Sequence, residues 1–267
     1  MTDRLPPFSI DVSVESVARW MMGRDDRLPD PLPEIGDLVP LSYLFFLRSQ
    51  PVASISIHEE LDRDPDRGLF GGVRYERHRA VRIGDRLSGD AIVTDRKAVE
   101  SPKGKMLVTT LENIWSAGDG KAVTETVRMV DLPPELPTAP AAGPAADTTL
   151  TLMGEPVAFT RRQIAWLTVE TGDLNPLHVD ADYAKSREFP DVVVPGTLIV
   201  PQVEKVLSES WDDALKILDV RFRAPTFPGE AISFHAADDD YGGIKFEVCG
   251  GGTVRAAGRA VFGVTSA

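Results

Sequence analysis

Apolar residues recur at helical spacing in two stretches of the chain, and each stretch begins with a hydroxyl residue. They are residues 13–22, which start with Ser13, and residues 160–169, which start with Thr160. A serine or threonine at the N-cap accepts a hydrogen bond from a free N–H group of the first turn. Gln163, three residues after Thr160, completes the pattern of a capping box. We therefore expect two capped amphipathic helices, each followed by a loop rich in glycine, aspartate and proline.

Seven further segments alternate apolar and polar residues or are rich in β-branched residues, as strands of an antiparallel sheet are. They are residues 90–99, 106–115 and 122–130, then residues 215–222, 231–237, 244–249 and 254–264. Another helix is expected at residues 198–210, where Val203, Val206 and Leu207 are apolar. Each half of the chain thus predicts a helix, a loop, a longer helix and a run of strands. The fold class is α+β, with a helix wrapped by a sheet.

A proline-rich stretch separates the two halves. Residues 132–150 contain five prolines among alanine, glycine and threonine, without an apolar period, which is the composition of an extended linker. The sequence therefore predicts an N-terminal domain of residues 1–131, a linker of residues 132–150 and a C-terminal domain of residues 151–267.

The two halves share landmarks at nearly constant spacing. Ser13 and Thr160 lie 147 residues apart. The turn Arg82-Ile-Gly-Asp-Arg-Leu87 lies 145 residues before the turn Phe227-Pro-Gly-Glu-Ala-Ile232. Such repeated spacing indicates an internal duplication that sequence identity no longer shows.

Composition narrows the class of function. The chain has 41 acidic and 29 basic residues, a formal net charge of −12. A surface of this sign repels phosphate backbones, so we expect no nucleic-acid partner, and an anionic coenzyme would need a local cluster of arginine or lysine. The apolar stretches are too short to cross a bilayer, and the single cysteine, Cys249, cannot form an internal disulfide. We therefore expect a cytoplasmic protein with no membrane partner.

One cluster has the composition of a catalytic site: Gly172, Asp173, Asn175, Pro176 and His178. Pro176 prevents this segment from being regular helix interior, and a bent loop can bring Asp173 and His178 to one side. A carboxylate and an imidazole that face one point can hold a water molecule, take its proton and return it to carbon. The same residues also make a good helix stop followed by an Asx turn. Spacing alone leaves both interpretations open.

No other motif competes with this cluster. The chain has no Gly-x-Gly-x-x-Gly fingerprint, no phosphate-binding Gly-Lys-Ser/Thr loop and no Gly-x-Ser-x-Gly nucleophile elbow. The remaining histidines, His58, His78 and His235, lack the spacing of metal ligands. We predict neither a metal site nor a separate cofactor.

The segment Thr171-Gly-Asp-Leu-Asn-Pro-Leu-His178, followed by Asp182-Tyr-Ala184, resembles the signature of the MaoC-like (R)-specific enoyl-CoA hydratases, or 3-hydroxyacyl-thioester dehydratases. The resemblance continues through residues 189–198. Residues 69–85 resemble the N-terminal domain of members with two hotdog domains, so the resemblance covers nearly the whole chain. It implies two tandem hotdog domains that form a pseudo-dimer, each a long helix wrapped by an antiparallel sheet. The first domain would be degenerate and the second catalytic.

The resemblance also implies roles for single residues. Asp173 and His178 would be the dyad that activates water for syn addition to a trans-2-enoyl thioester, or that removes water from an (R)-3-hydroxyacyl thioester. Asn175 would hold the loop. The backbone N–H of Gly196 would donate to the thioester carbonyl, where negative charge develops during the reaction. Coenzyme A or the pantetheine of a carrier protein would be part of the substrate.

Other residues are candidates for substrate contact: Gly172, Pro195, Thr197, Arg221 and Arg223. The two arginines alternate with one residue on a strand, so we expect both on one face, either at coenzyme A phosphates or in exposed ion pairs. Pro195 replaces a histidine that many relatives have before the glycine.

A second departure from the family lies near Pro201, where a small hydroxyl residue that is common in relatives a turn into the following helix is replaced. This proline is compatible with a helix that begins at about Thr197 or later, because first-turn N–H groups lack partners.

The first half lacks the dyad. Its corresponding loop contains Asp25 and Asp26 but no histidine before His58. We expect this half to pair its sheet with that of the second half. Its apolar run, residues 43–47, is expected either to line an acyl tunnel or to pack in the core.

Two other functions remain open at this stage. One is a non-catalytic or partner subunit of a heteromeric dehydratase, and the other is a hotdog acyl-thioesterase, which needs a carboxylate aimed at the thioester carbon. A homodimer is a further expectation, because the edges and faces of sheets tend to pair.

Overall fold

Ten strands from the described residues form one antiparallel sheet in the computed structural model of the protein. The structure describes residues 4–49, 65–101, 104–118, 120–132, 143–173 and 175–263. His58 and residues 133–142 of the predicted linker lie outside the described residues. The predicted domain boundaries stay a prediction.

The two halves contain the same kinds of elements in the same order. The first half contains β1 (Phe8–Asp11), α1 (Val14–Asp25), α2 (Tyr43–Arg48), a short 3-10 turn (Pro65–Arg67), β2 (Gly68–Arg77), β3 (Arg86–Ser101), β4 (Gly104–Ala117) and β5 (Gly120–Asp131). The second half contains β6 (Thr151–Ala158), α3 (Arg161–Thr171), α4 (Pro176–Val179), α5 (Ala181–Ser186), α6 (Gly196–Ser210), β7 (Leu215–Phe222), β8 (Ala231–Asp238), β9 (Ile244–Gly250) and β10 (Thr253–Phe262). No helix of the described residues has the length and apolar character needed to span a membrane.

The order of strands in the sheet shows the duplication directly. It is β1-β3-β4-β5-β2-β7-β10-β9-β8-β6, which reads the same from either edge when β1–β5 are matched with β6–β10. The two turns noted in the sequence also have one geometry. The N–H of Arg82 donates to the Asp85 carboxylate at 2.9 Å, and that of Phe227 donates to the Glu230 carboxylate at 3.1 Å. In both turns the preceding glycine has positive φ, 104° and 76°. The predicted internal duplication is confirmed.

The halves meet where β2 pairs with β7. Val73 lies opposite Val220, and Tyr75 lies opposite Leu218. All four side chains are at most 2% exposed, so the seam is part of one apolar core shared by both halves. The expectation that the two sheets pair is confirmed.

Local sequence signals explain the helix starts. Ser13 caps α1 by accepting from the N–H of Ser16 at 3.1 Å. Thr160 and Gln163 form the predicted capping box at the start of α3. All seven predicted strands are present as β3, β4, β5, β7, β8, β9 and β10.

Three strands could not be predicted from the alternation of apolar and polar residues. β6 is an edge strand that is mostly exposed, so its residues do not alternate. β1 has four residues, too few for a pattern. β2 begins with a glycine-rich stretch, and its register with β5 shifts between Phe70 and Gly72. Gly72 has φ of 153°, a conformation that favours glycine.

Two helix expectations need correction. The second helix of the first half has six residues in the described part of the chain, Tyr43–Arg48, and is not longer than α1; residues 50–64 lie outside the described part. In the second half, α6 begins at Gly196, so Pro201 lies inside the helix rather than in its first turn. Because proline has no N–H, the Thr197 carbonyl lacks its usual donor four residues ahead.

A buried carboxylate joins α6 to the first half. Glu204 is 5% exposed and accepts from the N–H of Leu41 at 2.7 Å, from the N–H of Ser42 at 2.8 Å and from the Ser42 hydroxyl at 2.5 Å. Arg77 is also buried; burial lowers its pKa and the charge of Glu204 opposes that shift. Glu204 therefore fixes the start of α2 against the central helix of the other half.

We expect Glu204→Gln to lower the free energy of unfolding by about 1–3 kcal/mol, because an amide leaves at least one buried donor without an acceptor. Denaturant unfolding followed by tryptophan fluorescence measures this change. Glu209→Gln, an exposed position on the same helix, is the matched control and should change stability by less than about 0.5 kcal/mol. Equal effects of the two substitutions would contradict the structural role of Glu204.

Candidate active site

The dyad loop begins where α3 ends. Gly172 is the C-cap of α3 and has φ of 66°, a left-handed conformation that glycine adopts without strain. The Thr171 hydroxyl donates to the Leu167 carbonyl at 2.7 Å and accepts from the N–H of Asp173 at 3.3 Å. Asn175 then caps α4 by accepting from the N–H of Leu177 at 3.0 Å. The interpretation as a helix stop and Asx turn is therefore right, and it does not compete with the catalytic interpretation.

His178 is held by a backbone carbonyl. Its Nδ1 lies 2.7 Å from the carbonyl oxygen of Val193, and the N–H of Val193 donates to Leu177 at 2.8 Å. A carbonyl oxygen only accepts, so Nδ1 carries the proton and Nε2 of the neutral ring keeps its lone pair. The side chain is 13% exposed, and its basic nitrogen faces Asp173.

The gap between the two dyad side chains suits a water molecule. Nε2 of His178 lies 3.8 Å from Oδ2 of Asp173. This separation is too long for a direct hydrogen bond, but it lets one water molecule contact both atoms. The Asp173 side chain is 38% exposed, so solvent reaches the pair. A carboxylate and a neutral imidazole in this arrangement can orient a water molecule and transfer its proton.

Asn175 connects this loop to the other half of the chain. Its Nδ2 donates to the carbonyl oxygen of Gly68, at the start of β2, at 2.8 Å. The residue is 7% exposed, so the hydrogen bond is shielded from water. The first half therefore helps to position the loop of the second half.

The N-terminus of α6 lies beside the dyad through Val193, which contacts His178 and is three residues before Gly196. Pro195, the N-cap, offers no side-chain acceptor to the free N–H groups of the first turn. A Cβ on Gly196 would lie 2.5 Å from Phe222 and 2.9 Å from Phe70, so only glycine fits without movement of those rings. The N–H of Gly196 is thus an oriented donor that a substrate oxygen can use.

A small cavity continues from this point between the two halves. Thr171 and Thr197 line it on the side of the dyad loop and α6. Phe45 and Phe46 of α2 line it from the first half, whereas Tyr43, Leu44 and Leu47 are buried in the core. Core packing is therefore confirmed for Tyr43, Leu44, Phe46 and Leu47, and a tunnel-lining role stays a prediction.

The structure places Arg221 on the face of the sheet opposite this site. Arg221 alternates with Phe222 along β7, and Phe222 packs on Gly196, so Arg221 lies on the other face of the sheet, where it pairs with Asp219 at 3.1 Å. Arg223 is exposed just after the end of β7. A role for either residue at coenzyme A phosphates stays a prediction.

The corresponding loop of the first half has different chemistry. The C-cap of α1 is Asp26, with φ of 56°, so Arg27 occupies the position that corresponds to Asp173. Burial alone would raise the pKa of Asp25, but Arg24 and Lys205 together hold that pKa below its ordinary value. Asp25 forms ion pairs with Arg24 and Lys205, and Asp26 forms one with Arg162 at 2.7 Å. Both aspartates are therefore partners of cations.

Other polar groups singled out in the sequence have structural surroundings. His78 bonds to Thr124 at 2.8 Å, and His235 bonds to Ser233 at 2.8 Å. Burial raises the pKa of the Cys249 thiol. Within the described part of the chain, no three His, Cys, Asp or Glu side chains meet in a group that could hold a metal ion.

Comparisons with known families identify both halves. Residues 143–258 match the family described as MaoC like domain, and residues 6–126 match the FAS1-like dehydratase domain region. The second half of the chain therefore contains a MaoC-like domain, and the first half contains a FAS1-like dehydratase region. These two matches support a hydratase or dehydratase of MaoC type.

A curated relative is similar over a short segment. Sixty-three residues are 33% identical to the mitochondrial 3-hydroxyacyl-[acyl-carrier-protein] dehydratase FERN of Solanum lycopersicum. The alignment spans 23% of this chain and 38% of the tomato protein.

Solved structures resemble the whole chain. HtdX of Mycobacterium tuberculosis superposes with a TM-score of 0.72 and 18% identity over 96% of this chain and 100% of HtdX. A second protein of that organism, described as having a double hotdog fold, gives a TM-score of 0.61 and 13% identity over 97% of this chain and 96% of the other. At these identities the likeness shows the fold alone. The predicted fold, two tandem hotdog domains that form a pseudo-dimer, is confirmed.

We expect Asn175→Ser and Asn175→Ala to separate the two bonds of this side chain. Serine keeps an N-cap acceptor but cannot reach Gly68, so it should lower the free energy of unfolding by about 1 kcal/mol. Alanine removes the cap as well and should lower it by about 2 kcal/mol in total. Denaturant unfolding of the three proteins measures both values. Wild-type stability in Asn175→Ser would show that the bond to Gly68 contributes nothing.

Proposed function

We propose that this protein catalyses the reversible syn hydration of a trans-2-enoyl thioester to an (R)-3-hydroxyacyl thioester. The observation that supports the proposal is the orientation of His178. Its Nδ1 is bonded to the Val193 carbonyl, so the basic Nε2 faces the Asp173 carboxylate across 3.8 Å. The MaoC-like domain of residues 143–258 supports the same class of reaction, that of a hydro-lyase.

In the hydration direction, the dyad holds a water molecule between its two side chains. Nε2 of His178 takes a proton from the water as the water oxygen bonds to C3 of the substrate. Asp173 orients the water and stabilises the positive charge that develops on the imidazole ring. The electron pair of the double bond moves through C2 toward the thioester oxygen.

The N-terminus of α6 stabilises the charge on that oxygen. The N–H of Gly196 donates to it, and one such donor lowers the barrier by about 3 kcal/mol. C2 then takes a proton from the dyad on the face where the hydroxyl group was added, so the addition is syn. The dyad returns to its starting state, and the reverse sequence is the dehydration.

The remaining substrate contacts follow from the same placement. Gly172 directly precedes Asp173 of the dyad, and Thr197 lines the cavity. Pro195 leaves the first N–H groups of α6 without a side-chain cap. We assign the thioester arm to coenzyme A or to the pantetheine of a carrier protein, with no separate cofactor. Arg223, exposed after β7, is the retained candidate for a coenzyme phosphate.

We expect Asp173→Asn and His178→Ala each to reduce the rate at least about a hundredfold, the usual scale for general acid–base groups. The assay is the loss of enoyl-thioester absorbance with crotonyl and longer enoyl thioesters of coenzyme A and of pantetheine. Asp182→Asn and His235→Ala are matched controls, because Asp182 is 97% exposed and His235 is bonded to Ser233. Both should stay within about threefold of the wild-type rate, below the scale of a catalytic group.

The assay also separates the other functions. Release of free thiol in place of hydration would indicate a thioesterase. Neither reaction with the wild-type protein would indicate a partner subunit. Near-wild-type hydration by His178→Ala would contradict the dyad mechanism even if the protein proves to be a hydratase.

A further inference from the structure

The cavity beside the dyad is the space into which an acyl chain would extend. Thr171 and Thr197 mark its end near the reacting carbons, and Phe45 and Phe70 form part of its wall from the first half. The volume that the centre of a water molecule can occupy in it is about 10 Å³, which is room for about one water molecule. Protein interiors are close-packed, so a longer chain must displace a wall.

The wall consists of aromatic rings in mutual contact. The rings of Phe45 and Phe70 are 5.0 Å apart, and those of Phe70 and Phe222 are 5.5 Å apart, both pairs tilted. Phe70 and Phe222 also lie against Gly196, the candidate donor to the thioester carbonyl. The rings therefore begin directly beside the reacting end of the substrate.

Phe45 is held from behind by a buried cation. The guanidinium carbon of Arg48 lies 4.7 Å from the centre of the Phe45 ring. Arg48 is 5% exposed, and its Nε lies 3.7 Å from the carboxylate of Glu125, which is fully buried. Because Arg48 is itself held by a buried ion pair, its contact with Phe45 restrains the position of that ring.

Polar groups are also part of the cavity lining. Ser42 and Tyr75 are among the lining residues, and the Ser42 hydroxyl donates to Glu204. An apolar chain that met these hydroxyl groups could not pair with them. The cavity is thus narrow and lined in part by groups that an acyl chain cannot satisfy.

We propose that Phe45 and Phe70 are specificity-determining residues that restrict the acyl group to short chains of about crotonyl size. The inference rests on the proposed hydratase activity. In this arrangement the second half supplies the dyad and the first half sets the length of the substrate. Each methylene that lacks room lowers kcat/KM by roughly 10–200-fold.

The test compares crotonyl-, hexenoyl- and octenoyl-pantetheine, which carry the arm common to coenzyme A and carrier proteins. The wild-type protein should have a kcat/KM for the octenoyl thioester at least about a hundredfold below that for the crotonyl thioester. In Phe70→Ala and in Phe45→Ala, the octenoyl-to-crotonyl ratio should rise at least about tenfold. Phe262→Ala is the matched control, because Phe262 stacks on Trp211 at 5.3 Å outside the cavity, and its ratio should stay at the wild-type value. Phe70→Leu and Phe45→Leu replace the alanine variants if those do not fold.

A wild-type protein that hydrates octenoyl and crotonyl thioesters equally well would overturn the chain-length inference and leave the proposed function intact. An unchanged ratio in both phenylalanine variants would overturn the role of these residues. Absence of any hydration would overturn the proposed function. Chain-length selection is then tested separately by calorimetric titration with butyryl- and octanoyl-pantetheine, where tighter binding of the shorter thioester is expected and equal binding would overturn it.

Discussion

The pairing of β2 with β7 is the contact on which the rest of the molecule depends. Each is the innermost strand of its half, and their hydrogen bonds turn two five-stranded sheets into one sheet of ten strands. Val73, Leu218 and Val220 are almost fully buried along this seam, so neither half covers its own apolar surface. The position of β2 also decides where Gly68 meets the dyad loop and where Phe70 meets α6.

In the dyad loop, the residues that set the backbone conformation also position the candidate catalytic side chains. Gly172 ends α3 with a left-handed turn, and Asn175 begins α4, so the two short changes of direction bring Asp173 opposite His178. Thr171 fixes the N–H of Asp173 within the same few residues. A segment that serves as a helix stop is therefore also a suitable place for a dyad, because the bend supplies the convergence that a straight helix cannot.

The sequence is informative where the cause is local. The capping box of Thr160, the alternation of the seven predicted strands and the composition of residues 171–178 depend on neighbouring residues, and all are found in the structure. Contacts between residues that are distant in the sequence cannot be predicted from it. The carbonyls that hold His178 and Asn175 belong to Val193 and Gly68, and every residue has a carbonyl, so no residue type marks them.

Contacts across the seam between β2 and β7 cannot be predicted from the sequence for the same reason. Nothing in the apolar pattern distinguishes Phe222, which packs on Gly196, from other core residues, and this contact turns Arg221 away from the site. Pro201 lies inside α6 because a buried helix held by Glu204 tolerates one missing hydrogen bond, a compensation that local propensity does not contain.

Arg27, at the position that corresponds to Asp173, has a consequence for how such a protein diversifies. In an enzyme assembled from two identical single-hotdog subunits, one gene encodes both the reactive loop and the wall that faces it. Every change in the wall is then copied into both sites. Under the proposed function, a tandem chain with one dyad would separate these tasks, because Asp25 and Asp26 in the corresponding loop of the first half pair with Lys205 and Arg162. The side chains of Phe45 and Phe70 that line the cavity could then vary while the β2–β7 pairing and the dyad loop stay constant.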